Sequence, residues 1–151
     1  MSWQQNLLET PAEIAALLAA TRRIAVLGIK PESHDDQPAH YVPAAMAAAG
    51  YEILPVPVYY REVTSILGQP VFRRLVDVPG KIDLVNVFRR PVDLRGHLDD
   101  LLAARPSAVW LQTGIRDDAF AIELAEAGML VVQDRCLMVE RQRHGARPAV
   151  G

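Results

Sequence analysis

Few side chains in this 151-residue sequence have the type and spacing to do chemistry. The one cysteine, Cys136, follows an apolar run and has Arg135 as its neighbour. A lone thiol closes no internal disulfide and cannot build a cysteine-based zinc site. Its two readings are a reactive thiol facing a cleft and a small buried hydrophobe. His34 and His40, with Asp35 and Asp36, superficially resemble a metal cluster, but they lack a further nearby ligand and read better as a solvated loop. No metal is expected, no Ser-His-Asp set stands out, and no catalytic residue is assigned. The cations and aromatics are more telling. Lys30 comes just after Gly28 and Ile29, Tyr59 and Tyr60 just after Pro57 and Val58, and Arg89 and Arg90 just after Val87 and Phe88. Arginine grips phosphate oxygens with paired N–H groups, and lysine adds a point charge. Tyr59, Tyr60 and Phe88 could flank an adenine ring. Together these residue types suit a nucleotide-like ligand with several phosphates.

Each cluster follows a short apolar run, which is how distant residues could converge. Residues 24–28, 51–56, 83–88, 108–112 and 130–133 read as strands, the first of them buried on both faces. Residues 39–49, 91–104 and 117–127 read as helices, the first and last closed by Gly50 and Gly128. A further helix over 11–20 has Thr10 as N-cap, Pro11 at its first position and Glu13 placed for a capping box. Pro38 and Pro43 leave the start of the 39–49 helix open by several residues. The stretch before residue 83 reads as irregular. Strands alternating with helices imply βαβ units and right-handed crossovers. The expected fold is therefore α/β, a Rossmann-like doubly wound, mainly parallel five-stranded sheet with helices on both faces. Residues 1–21 are expected to hold an N-terminal helix, 22–140 the domain proper, and 141–151 a loose basic tail. In such sheets ligands bind beyond the carboxyl ends of the strands, where strand order reverses. The candidate clusters lie at those ends.

Half of the sequence is hydrophobic, 23% is charged and the mean hydropathy is +0.08. That is ample material for a packed core and excludes a disordered chain. A net charge of −2 and a pI near 6.1 argue against nucleic-acid and membrane-surface partners. No apolar run approaches the ~20 residues of a membrane span. Met1-Ser2-Trp3-Gln4-Gln5 lacks the features of a signal peptide, so a cytoplasmic location is expected. Gly28 is the only glycine between Arg23 and Ala49, so the G-x-G-x-x-G turn is missing, and the second strand ends in Pro55-Val56-Pro57 where a dinucleotide site needs an acid. No G-x-x-x-x-G-K-[ST] occurs either. An NAD(P)-binding redox sensor and a P-loop ATPase are both demoted.

Residues 24–28, 50–56, 83–91, 108–114 and 132–136, taken in order, are similar to the small stand-alone CoA-binding domain family. That family resembles in fold the N-terminal CoA-binding domain of the succinyl-CoA synthetase α subunit. The similarity runs from Arg22 to Glu140 and is most specific in Val87-Phe88-Arg89-Arg90-Pro91, Val109-Trp110-Leu111-Gln112 and Asp134-Arg135-Cys136. The resemblance implies coenzyme A or an acyl-CoA as ligand. It implies Gly28, Ile29 and Lys30 for the phosphates, and Pro57, Tyr59, Val87, Phe88 and Arg89 around the nucleotide. Lys30 stands where the family often has serine, and would strengthen the hold on phosphate. Pro57 and Val58 stand where the family often has Asn-Pro, removing a side-chain hydrogen bond to the ligand. Under this resemblance Cys136 could pair with the CoA thiol. The implied function is a non-catalytic cytoplasmic CoA-binding protein. The alternative is an accessory subunit of an acyl-CoA synthetase, with a protein partner supplying the phosphorylated histidine; a homo-oligomer is a further possibility for partners.

Overall fold

Thr10 opens the first helix as its sequence suggests. Its hydroxyl accepts from the Glu13 N–H at 3.2 Å while Glu13 Oε1 accepts from the Thr10 N–H at 2.9 Å. The resulting α1 (Pro11–Ala19) buries Ile14, Leu17 and Leu18. The computed structural model describes residues 2–151. After α1 come β1 (Arg23–Leu27), α2 (Pro38–Ala48), β2 (Glu52–Val56) and a small hairpin of β3 (Ser65–Ile66) and β4 (Gln69–Pro70). β5 (Leu84–Val87) leads into a 3-10 helix (Pro91–His97) that continues as α3 (Leu98–Ala104). β6 (Ala108–Leu111), α4 (Asp118–Glu126), β7 (Leu130–Val132) and α5 (Leu137–His144) complete the chain.

The main sheet has five strands in the order β2-β1-β5-β6-β7, all parallel. Leu27 lies opposite both Val56 and Val87, so the carboxyl ends of β1, β2 and β5 finish level. Side chains alternate between two cores. Ile24, Val26, Leu84 and Trp110 pack under α1, α2 and α5, whereas Ala25, Leu27, Val85 and Val109 pack under α3 and α4. Helices thus cover both faces, as expected. Beyond β1 the chain turns to one face and beyond β5 to the other. The crevice of a reversed strand order therefore opens between those neighbours.

Three local expectations change. The stretch read as irregular contains the β3–β4 hairpin. The helix expected over 91–104 is 3-10 for its first half, where Pro91 removes a donor and Gly96 weakens an α-helical continuation. The tail expected to be loose from Arg141 begins as the last turn of α5, and Ala149 N–H donates to the Thr21 carbonyl at 2.9 Å.

Candidate functional site

Gly28 sits where β1, β2 and β5 end together. Its N–H donates to the Val56 carbonyl at 2.9 Å, and its φ is +89°. A Cβ there would lie 2.3 Å from the Phe88 carbonyl oxygen, so only glycine lets β5 run past this close. Phe88 N–H in turn donates to the Leu27 carbonyl at 2.9 Å. This crossing forms the floor from which two hollows open.

The smaller, about 210 Å³, lies over the ends of β1, β2 and β5 and is walled by Gly28, Ile29, Val58, Tyr59 and Tyr60. The larger, about 690 Å³, extends over β6 and β7 to Gln112, Thr113, Gly114 and Cys136. Both share Lys30, Phe88, Arg89 and Arg90, so a cationic rim with one aromatic ring joins them. Lys30 Nζ donates to Gln37 Oε1 at the start of α2. That helix has Pro38 at its first turn and no side-chain cap, and its positive dipole end adds to the Lys30 charge. Pro43, inside α2, has no N–H to offer the Ala39 carbonyl. That oxygen accepts instead from Lys30 N–H at 3.1 Å, which ties the loop after β1 to the helix.

Arg89 is largely buried, with a side chain 13% exposed. Its Nε donates to His97 Nε2 at 3.0 Å, its Nη1 approaches Tyr59 OH at 3.5 Å, and its guanidinium carbon lies 5.4 Å from the Tyr59 ring centroid. Arg90 is exposed and donates to Asp93 at 2.8 Å. That hydrogen bond holds the Asp93 carboxyl below its ordinary range, with the charges of Arg90 and Arg89 assisting. Burial, then the Arg89 charge, push the His97 imidazole below its usual value. The loop carrying Tyr59 is pinned by Arg73, whose guanidinium donates to the carbonyls of Tyr59, Tyr60, Arg61 and Val63 at 2.6–3.4 Å.

Of the residues expected at the site, Gly28, Ile29, Lys30, Tyr59, Phe88 and Arg89 come together in these walls. Val87 and Pro57 line neither hollow: both are buried, and Val87 points into the α3/α4 core because it alternates with Phe88. Cys136 is half-buried and lines the larger cavity. The guanidinium of the neighbouring Arg135 donates to the Glu9 carbonyl at 2.9 Å. The loop around His34 and His40 is not simply solvated. His40 is buried against Glu32 at 3.0 Å, while His34 packs on the Tyr60 ring at 5.1 Å. Among the described residues no group of three or more such side chains could hold a metal ion. No helix among them is long and apolar enough to cross a membrane. His97, Arg73 and Gln37 carry no sequence signal of their own, since each works through a strand-end residue that does.

A family model described as CoA binding domain matches residues 22–142. A Bacillus subtilis (strain 168) relative, "Uncharacterized protein YneT", is 37% identical over 128 residues, covering 85% of this chain and 91% of that protein. A solved Thermus thermophilus structure, cell-free ID.343, superposes with a TM-score of 0.83 at 42% identity, covering 90% of this chain and 99% of that one. A hypothetical protein from Pyrococcus horikoshii OT3 follows at 0.81 and 25% identity, over 91% and 94% of the two chains. The fold also recurs in a Ca. Korarchaeum cryptofilum dinucleotide forming acetyl-coenzyme A synthetase, at 17% identity and a TM-score of 0.65, where the match spans 76% of this chain but 26% of the synthetase. With the family match running from the start of β1 into α5, and a Bacillus relative similar over nearly its whole length, the chain belongs to the CoA binding domain family.

Proposed function

We propose that this chain binds coenzyme A or an acyl-CoA through the adenosine diphosphate part, and performs no chemistry of its own. The observation that carries the reading is the shared rim of Lys30, Phe88, Arg89 and Arg90 between two hollows at the reversal of strand order. A ligand with an aromatic end, an anionic middle and a long thin arm matches that sequence of surfaces. The adenine would lie in the smaller hollow against Tyr59 and Phe88, with Gly28 and Ile29 beneath it. The phosphates would meet Lys30, Arg90 and the uncapped start of α2. The arm would enter the larger cavity. Isothermal titration of CoA into the wild type and Lys30→Ala tests this: the variant should bind more weakly by ~1–3 kcal/mol, the size of a hydrogen bond to a charged group. Equal affinities would move the phosphates elsewhere.

A second reading makes the chain an accessory CoA-binding subunit of an acyl-CoA synthetase, working in the cytoplasm with a protein partner or a second copy. The fold match to about a quarter of the Korarchaeum synthetase chain supports it. Thioester formation on mixing with isolated synthetase subunits, absent when this chain is omitted, would favour that reading over a simple binding module.

A further inference from the structure

Gln112, the residue after β6, lines the larger cavity and is 4% exposed. Its Oε1 is committed twice, accepting from Asn86 Nδ2 at 3.1 Å and from the Leu137 backbone N–H at 3.3 Å. A backbone N–H cannot reverse its role, so the Leu137 contact fixes which end of the Gln112 amide is oxygen. Its Nε2 donates to no group among the described residues and belongs to a cavity-lining side chain. The arrangement is costly to keep. Asn86, wholly buried in β5, must turn its Nδ2 to Gln112, which leaves its own Oδ1 buried with no partner. A valine or leucine at residue 86 would remove that penalty but would also release Gln112.

We infer that Gln112 is a specificity-determining donor for the far end of the ligand, that Asn86 is its positioning residue, and that the preferred ligand is an acyl thioester over the free thiol. This rests on the CoA-binding reading above. Lys30, Phe88, Arg89 and Arg90 are common to both hollows, whereas Gln112 and Cys136 belong to the larger alone. A ligand whose charged middle is held at the shared rim therefore brings its distal end toward Gln112. In coenzyme A that end is a thiol, a weak hydrogen-bond partner; in an acyl-CoA it is a thioester carbonyl, an acceptor for Nε2. The wall also has an apolar share, Ala39, Val42, Pro91 and Ile115, beside Gln37, Tyr41 and Thr113, and that share suits the carbon chain of a short acyl group.

The test titrates adenosine 3′,5′-diphosphate, CoA and acetyl-CoA into the wild type, Gln112→Glu and Asn86→Leu. Gln112→Glu keeps an oxygen for Asn86 and Leu137 but replaces the donor with an acceptor. The wild type should bind acetyl-CoA more tightly than CoA, and this preference should fall about tenfold in Gln112→Glu. Asn86→Leu should lose part of the preference and keep its melting temperature at or above that of the wild type. Affinity for adenosine 3′,5′-diphosphate should stay within about twofold throughout. CoA binding with no acetyl-CoA preference, or a preference equal in the wild type and Gln112→Glu, would overturn the inference and leave the CoA reading standing. Failure of the wild type to bind any of the three ligands would overturn both. Should Gln112→Glu fail to fold, the same preference measured in Asn86→Leu decides the matter.

Discussion

His97 accepts from Arg89 Nε through its own Nε2, so its ring must be neutral with the proton on Nδ1. Burial and the neighbouring Arg89 charge keep it so by lowering its folded value below the ordinary 6.5. Between those two values the unfolded chain binds the extra proton, so stability rises with pH. The stabilisation is complete above pH ~6.5 and is lost as pH falls from there through the folded value. Melting curves from pH 5 to 8 should show this slope in the wild type and a shallower one in His97→Gln; parallel curves would mean His97 does not titrate as described. At this scale the sequence is readable where a residue follows a strand. Lys30, Tyr59, Phe88 and Arg89 are found by that rule. His97, eight residues beyond Arg89 on a 3-10 helix, has no such address. Nor does Arg73, whose role depends on where four carbonyls point.

Strand parity explains why Val87 lies away from the cleft. Val87, the last residue of β5, and Phe88, which follows it, pack against opposite cores, and of the two Phe88 lines the hollow. The end of β1 permits a sharper forecast. The crossing of Gly28 with the Phe88 carbonyl means that Gly28→Val combines a left-handed backbone with a backbone clash. The variant should lose about 2–5 kcal/mol of stability in urea unfolding. A variant as stable as the wild type would show that β1 and β5 can part at no cost. Helix α5 was not legible because its pattern is polar: of Leu137–His144 only Leu137 and Glu140 are buried, and Glu140 is satisfied by Arg143 at 2.8 Å rather than by apolar packing. By contrast α1 shows both a capping box and a spaced apolar set, and both form.

For the molecule as a whole, five apolar runs separated by helical stretches were enough to indicate a parallel sheet covered on both faces. The order β2-β1-β5-β6-β7 follows from crossover handedness and compactness rather than from any one residue. A ligand bound only by the folded chain must raise its melting temperature. CoA at 100 times its dissociation constant contributes ~2.7 kcal/mol, which corresponds to a rise of roughly 5–10 °C for a domain of this size. NAD and ATP at the same concentration should give a much smaller rise; a larger one with NAD would redirect the assignment to dinucleotides. The larger cavity takes its walls from Lys30 through Cys136. During synthesis, then, a chain still lacking β7 and the turn after it has the early strands but no complete pocket. The smaller hollow, by contrast, draws on nothing beyond Arg90, so the two halves of the site are completed at different points of synthesis.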